Sequence, residues 1–474
     1  MKMNKLTLLI LLGIMAYSSA YAQLVFKGFQ KISSTNGNLG VTLDNNEFFG
    51  YRMSNIGDLD GDGVADIAVA APGDNDGGPA RGAIFILFMK TDGTIKGKQK
   101  ISYTNGNLGV NLVDNERFGH SVNVIGDLDG DGVQDLIVGA VGHNSFVGGA
   151  YILFMKKDGT VKSHTIIDGN TPNFSYTNAG TFGHDVLSPG DIDGDGIPDL
   201  AVGSINDNDG GTSFGAVYII FLKRDGSVKS YQKISSTSGN LNVPLNTDYL
   251  FGYSLGRIGD VNGDGTPDLI VGDPEYGINS SNPVGAVFIL YLNANGTVKT
   301  HKKIDYSTNN FQGVLQANEA FGTSVTMIED ANGDGIKDLL VGAEHFNSSS
   351  NDKGTIYAFF LDTACNVKSY QRIGASTSSS LDGAIQSGSL FGISVISLNN
   401  FNSNYTHTIA VGAIADNDGN TKAGAFYVIF LNGHTTGINE NIEDTSSKNY
   451  SIYPNPTTND FNIEFTSGAT NRTI

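Results

Sequence analysis

A nine-residue acidic loop occurs five times in this chain: DLDGDGVAD from Asp58, DLDGDGVQD from Asp127, DIDGDGIPD from Asp191, DVNGDGTPD from Asp260 and DANGDGIKD from Asp330. Each copy sets side-chain oxygens at positions 1, 3, 5 and 9, a donor set suited to a hard cation taking about six to eight oxygens. Aspartates crowded this closely repel one another unless positive charge sits among them, and the Gly-Asp-Gly centre lets the backbone curl round an ion. Calcium is the expected ion, at about five sites. The expected ligands are Asp58, Asp60, Asp62 and Asp66 in the first loop and Asp127, Asp129, Asp131 and Asp135 in the second. Asp191, Asp193, Asp195 and Asp199 follow in the third, Asp260, Asn262, Asp264 and Asp268 in the fourth, and Asp330, Asn332, Asp334 and Asp338 in the fifth.

The loop is not an EF-hand, because position 12 carries Val69, Val138, Val202, Val271 or Val341 where that motif needs a bidentate Glu. Those valines lie in apolar runs such as DLIVGA from Asp135, whose length and β-branching read as buried strand. Phe-Gly pairs stand upstream of every loop, at Phe49, Phe118, Phe182, Phe251 and Phe321, and a sixth begins at Phe391. In that sixth copy the loop reads NFNSNYTHT, with Asn400, Asn402, Asn404 and Thr408 replacing the aspartates. Ligand charge governs affinity in such loops, so this copy is not expected to hold the ion.

The Phe-Gly pairs recur at intervals of 64 to 70 residues, long enough for four short strands and their loops. In the second copy the strands read FGHSVNVIG, DLIVGA, GAYILFM and TVKSHTII, with Asp158-Gly159 marking a hairpin between the last two. At 474 residues the chain exceeds one ordinary core, and the repeat makes it an array. Four-stranded meanders repeated radially form a propeller, in which closure protects the sheet edges. The expected fold is all-β, a β-propeller of six four-stranded blades, with seven blades as the alternative. No fourth strand follows the third strand of copy six, whereas FKGFQKISS at residues 26–34 resembles KSYQKISS at residues 229–236. The N-terminal segment is therefore expected to complete the last blade.

The Phe-Gly start, the acidic loop and the turns Ala70-Ala71-Pro72, Gly139-Ala140-Val141 and Gly342-Ala343-Glu344 together resemble FG-GAP repeats of the integrin alpha-chain head. The resemblance covers most of the chain. It implies calcium held by positions 1, 3, 5 and 9 with a backbone carbonyl at 7, and an extracellular ligand on the opposite face. Integrin heads have seven blades, where six are counted here. Near the C-terminus, YSIYPNPTTNDFNIEF from Tyr450 resembles the start of a type A sorting domain of the Bacteroidetes type IX secretion system, which implies contact with secretion machinery.

The N-terminus has the pattern of a secretory leader: Lys2 and Lys5, an apolar run over residues 6–16, and Ala20-Tyr21-Ala22 as a cleavage site. The expected organisation is a signal peptide at 1–22, the propeller at 23–434, a linker at 435–449 and a partial sorting domain at 450–474. No segment is long and apolar enough to be read as a transmembrane span. Cys365 is the one cysteine, so no intrachain disulfide forms and metal is the available staple.

A net charge of −19 argues against nucleic acid or anionic lipid as partner, since affinity for phosphate comes from basic side chains. No Gly-x-Ser-x-Gly elbow, His-Glu-x-x-His or phosphate loop is present. His120 and His184 stand where other copies have Tyr51 and Tyr253, which reads as packing. The DNDGG segments at Asp74 and Asp207 read as solvated turns, with further cation sites as the alternative. In an up-and-down blade the acidic loops and the Asp-Gly hairpins share one face. The other face carries longer, more varied loops, including those containing Tyr276 and Phe346, where ligand contacts are expected. The leading functional expectation is a secreted or surface-displayed calcium-binding scaffold for adhesion to an extracellular protein or glycan. The competing class is a calcium-dependent propeller enzyme, a phytase or a polysaccharide-cleaving enzyme.

Overall fold

A computed structural model describes residues 24–433 except 177–179, 246–248, 278–282, 347–351, 376 and 400, together with the backbone of 450–454 and 461–465. The expected leader and linker lie outside the described residues, as does Asn400.

Six four-stranded antiparallel sheets make up residues 24–433. Blade 1 contains β2 (Met53–Gly57), β3 (Asp66–Ala71), β4 (Ala83–Met89) and β5 (Ile95–Ile101). Blade 2 contains β6 (Phe118–Gly126), β7 (Asp135–Ala140), β8 (Gly149–Met155) and β9 (Val161–Ile167). Blade 3 contains β10 (Phe182–Gly190), β11 (Asp199–Ser204), β12 (Ala216–Leu222) and β13 (Val228–Ile234). Blade 4 contains β14 (Ser254–Gly259), β15 (Asp268–Asp273), β16 (Ala286–Leu292) and β17 (Val298–Ile304). Blade 5 contains β18 (Phe321–Ile328), β19 (Asp338–Ala343), β20 (Thr355–Leu361) and β21 (Val367–Gly374). Blade 6 contains β22 (Phe391–Ser397), β23 (His407–Ala413) and β24 (Ala425–Asn432), and takes β1 (Val25–Ile32) as its fourth strand. The fold is thus an all-β, six-bladed β-propeller, and the seven-bladed alternative is set aside. The closing register runs from Val25 opposite Asn432 to Ile32 opposite Phe426.

The burial pattern follows from position in the blade. Second and third strands, such as DLIVGA and GAYILFM, are buried along their whole length because sheets pack on both faces. Fourth strands such as VKSHTII bury their ends and expose residues between, as an outer strand should. Apolar clusters join neighbouring blades; one packs Phe118, Val138 and Tyr151 of blade 2 against Ile84 and Ile86 of blade 1.

The Phe-Gly pair couples one blade to the next. All six of its phenylalanines are fully buried, and each bridges to a glycine ahead of the third strand of the preceding blade. The last such bridge, Phe49 to Gly424, joins blade 1 to blade 6 and closes the ring. At Gly285 φ is +93° and a Cβ would lie 1.9 Å from the Phe321 carbonyl oxygen. No side chain fits there. Gly285→Ala is therefore expected to cost roughly 3 kcal/mol, combining steric overlap with a backbone conformation that L residues avoid, as measured by chemical denaturation.

First strands line a central channel with a cavity of about 250 Å³. Arg52 closes one end, buried and donating to the carbonyls of Ile393 at 2.7 Å and Thr323 at 3.3 Å, with Asp185 at 3.9 Å. Burial outweighs the nearby guanidinium and pushes the Asp185 carboxyl up to about 6. Tyr51, His120, His184 and Tyr253 form a continuous arc beside Arg52, with ring centroids 4.4–4.7 Å apart. Burial pushes the His120 imidazole down to about 3 and that of His184 well below its ordinary value, so both rings pack as neutral groups. The packing role expected of these histidines is what the fold shows.

The DNDGG turns are solvated only in part: Asn75, Gly77, Asn208 and Gly210 are exposed, but the leading aspartates, and that of the matching DNDGN turn of blade 6, are not. Asp74, Asp207 and Asp416 are buried and pair with Lys100, Lys233 and Lys31 at 2.5, 2.7 and 2.9 Å. Two residues on, Asp76, Asp209 and Asp418 accept hydrogen bonds from hydroxyls just past the fourth strand, including Thr104, Ser235 and Ser33. These carboxylates pin the loop between second and third strands to the exit of the fourth.

Near the C-terminus, β25 (Tyr450–Pro454) and β26 (Phe461–Phe465) form an antiparallel pair with Tyr450 opposite Phe465. Pro454 thus ends a strand, whereas Pro456 lies outside the described residues. No helix among the described residues is long and apolar enough to cross a membrane.

Candidate functional site

Each acidic loop links the first strand of its blade to the second and is organised by its own first aspartate. Asp127 accepts from the backbone N–H groups of Gly130, Asp131 and Gly132 at 2.8, 2.9 and 2.8 Å. Asp58, Asp191, Asp260 and Asp330 accept the equivalent three bonds in their own loops. Positive φ at the two central glycines, +80° at Gly130 and +85° at Gly132, makes that curl possible.

The ninth residue is tied on both sides. Asp135 Oδ2 accepts from Leu128 N–H at 2.9 Å and Oδ1 from Met155 N–H, at the end of the third strand, at 2.9 Å. Asp66, Asp199, Asp268 and Asp338 repeat the arrangement. Against those bonds, burial pushes Asp66, Asp135 and Asp268 up to about 6 and Asp199 and Asp338 up to about 7. A cation beside them would favour the ionised form again.

Positions 3 and 5 face an ammonium group. Lys162 Nζ lies 2.7 Å from both Asp129 Oδ2 and Asp131 Oδ2, and Lys229 Nζ lies 2.7 and 2.6 Å from Asp193 and Asp195. Lys96 sits 2.7 Å from Asp60 and pairs with Asp62 as well. In blades 4 and 5, where position 3 is Asn262 or Asn332, Lys299 pairs with Asp264 at 2.8 Å and Lys368 with Asp334 at 2.7 Å. These contacts hold the carboxyls of Asp62, Asp131, Asp195 and Asp264 below the ordinary range.

A β-bulge delivers every one of these lysines. In blade 2, Phe154 pairs with Ser163 and Met155 with Val161, which leaves Lys162 as the extra residue of the fourth strand. The same shift isolates Lys96, Lys229, Lys299 and Lys368. Bulges re-aim a side chain, and here each turns a lysine towards the acidic loop of its own blade. The lysines are functional candidates that ligand-pattern reading passes over. Their signal is the recurring Ile-Lys or Val-Lys one residue after each hairpin turn.

Three loops gather a trio of carboxylates whose ligand oxygens lie within 4.8 Å of one another: Asp58, Asp60 and Asp62; Asp127, Asp129 and Asp135; Asp191, Asp193 and Asp199. In the other two, the amide oxygens of Asn262 and Asn332 accept from Asp264 and Asp334 N–H at 2.9 Å. An all-oxygen donor set already arranged round a stand-in ammonium fits a hard divalent cation. The decayed sixth loop offers Asn402, whose side chain donates to the Thr91 carbonyl of blade 1 at 2.6 Å.

On the opposite face Tyr276, from a loop where ligand contacts are expected, is a packing residue. It is 8% exposed, lies 4.9 Å from Tyr249 and 5.5 Å from Phe288, and its hydroxyl accepts from Lys303. Phe346 is half-buried with the Arg372 guanidinium 4.8 Å from its ring. The most exposed aromatic among the described residues is Phe146, at 51% against 37% for Tyr103 and 36% for Tyr231, in the loop of blade 2 that carries Asn144, Ser145 and Phe146 at φ of 48°, 63° and 68°. Three successive left-handed residues cost about 1–2 kcal/mol each, less for Asn. Two contacts hold that turn: half-buried His143 bonds the buried Glu116 at 2.5 Å, and Asn144 at the surface donates to Asp168 at 2.9 Å. Arg117 stands 6.0 Å from the Phe146 ring and also borders an apolar hollow of about 470 Å³ lined by Phe48, Pro72, Pro79 and Ile414.

Comparison with known proteins agrees with the blade geometry. A model of the FG-GAP-like repeat matches residues 127–202 and 191–271, and one of the FG-GAP repeat matches 49–87 and 321–359. Integrin alpha-3 of Cricetulus griseus is 34% identical over 195 residues, covering 40% of this chain and 16% of that protein. Integrin alpha-PS2 of Drosophila melanogaster is 32% identical over 264 residues, 52% of this chain and 17% of its own length. Phosphatidylinositol-glycan-specific phospholipase D of Homo sapiens is 26% identical over 259 residues, 49% of this chain and 29% of that enzyme. The chain thus spans under a third of the length of these relatives. Repeat matches, integrin alpha relatives and six Phe-Gly-coupled blades support one assignment: the chain carries FG-GAP repeats and folds as an FG-GAP β-propeller.

Proposed function

We propose that this chain is a secreted or cell-surface propeller, stabilised by calcium at about five acidic loops, that binds an extracellular protein or glycan on the face opposite those loops. The observation that carries the calcium reading is the recurrence, in five blades, of oxygen donors collected round a positive charge. Asp, or Asn at position 3 of two loops, supplies the side-chain ligands at positions 1, 3, 5 and 9. Export rests on the leader pattern at 1–22, with the propeller at 23–434 and the linker at 435–449. The segment 450–474 then contributes a partial sorting domain read by secretion machinery.

Backbone strain in blade 2 supports this ligand face. A left-handed turn that costs stability and displays Phe146 and Val147 beside an apolar hollow is the kind of feature a binding surface retains. Screening the purified protein on glycan and extracellular-matrix arrays, with calcium and with chelator, tests the reading. Phe146→Ser is expected to reduce binding of any hit at least fivefold while leaving the calcium-dependent melting curve unchanged. Efficient hydrolysis of phytate or a polysaccharide by the same preparation counts against the scaffold reading.

A further inference from the structure

We propose that Lys96, Lys162, Lys229, Lys299 and Lys368 are internal competitors of the loop cation, each holding the position 3 and 5 oxygens until calcium displaces it. The inference rests on the calcium reading above and adds to it the residue that sets the affinity. Lys162 and Lys229 each hold the Oδ2 atoms of positions 3 and 5 at 2.6–2.7 Å, so the ammonium stands where those two oxygens converge. A divalent ion bound by the same oxygens at about 2.3–2.6 Å cannot share that space with a like charge. Calcium entry therefore requires the lysine to swing out, and its solvent-facing stem makes that motion available: Lys162 and Lys229 side chains are 44% and 42% exposed.

The delivery is built into the backbone. The same bulge, at the same point of the fourth strand, presents a lysine in each of the five blades with an acidic loop. In blade 6 the bulge presents Lys27 to a loop without carboxylates at those positions, and Lys27 is exposed. Two carboxylates hold the lysine in blades 1 to 3, whereas one holds it in blades 4 and 5. Competition is accordingly strongest in the first three blades.

Calcium titration calorimetry on the full chain tests this, comparing wild type with Lys162→Met, Lys299→Met and the triple variant Lys96→Met/Lys162→Met/Lys229→Met. Methionine keeps the apolar stem and removes the charge. Three sites in the triple variant are expected to tighten about tenfold, with a smaller gain for Lys299→Met. Melting in chelator should fall for the triple variant while melting in saturating calcium does not, and Lys162→Arg should retain wild-type affinity. Wild-type binding with unchanged or weaker affinity in Lys162→Met overturns the lysine role and leaves the calcium reading standing. Absence of calcium binding in both wild type and variants overturns both.

Discussion

Deletion of residues 23–34 is expected to abolish cooperative folding of a propeller whose affected blade lies 400 residues away in sequence. The segment supplies β1, which pairs with β24 over seven residues and buries Ile32 completely. It also supplies Lys31, which pairs at 2.9 Å with the fully buried Asp416. Removing one partner of a buried ion pair costs about 3–5 kcal/mol, and burying an isoleucine is worth about 1.5–3 kcal/mol. Those two terms alone approach the whole stability of many domains, about 5–15 kcal/mol. The remaining edge of β24 would template association with other chains. Size-exclusion chromatography and circular dichroism melts should show aggregated protein without a sharp transition. A monomeric deletion variant melting within a few degrees of wild type would refute this account. Lys31→Ala by itself should cost about 3 kcal/mol.

Saturating calcium is expected to be the second large effect. At free calcium ten times Kd, each site adds about 1.4 kcal/mol to unfolding, so five independent sites add about 7 kcal/mol. For a propeller of this size the corresponding rise in Tm is roughly 10 °C. With Kd of about 10⁻⁴ to 10⁻³ M, the rise should unfold across the millimolar range. Asp131→Ala should lose about a fifth of the gain, because it cripples one site of five. Asn402→Ala should leave the gain intact, since its loop lacks carboxylates. A melting curve indifferent to calcium and chelator would falsify the calcium role. The position 9 carboxyls, raised by burial, are the groups with most to gain from a neighbouring cation.

Much of the architecture was legible from residue order because it depends on local periodicity. Apolar runs of six or seven residues bounded by Asp-Gly hairpins gave the second and third strands of blade 2 at their observed limits, Asp135–Ala140 and Gly149–Met155. Counting three strands per copy and one spare at the N-terminus was enough to pair β1 with β24. Local geometry also made the acidic loops readable, since Asp127 folds back on the N–H groups of its own next residues.

Distance in sequence hid the rest. Lys162 meets Asp129 across 33 residues only because a bulge turns it there, and a register shift leaves no mark in composition. Asp74 and Asp207 looked like turn residues, yet folding buries them against lysines of a strand two elements on. Tyr276 sits in a polar loop but packs on Tyr249 and Phe288 of its own blade, whereas Phe146 is the aromatic left most exposed among the described residues. Hydrogen-bonding chemistry and strand periodicity act between near neighbours and are written in the sequence. Which charge is buried against which, and which aromatic remains outside, is decided only when blades pack against one another.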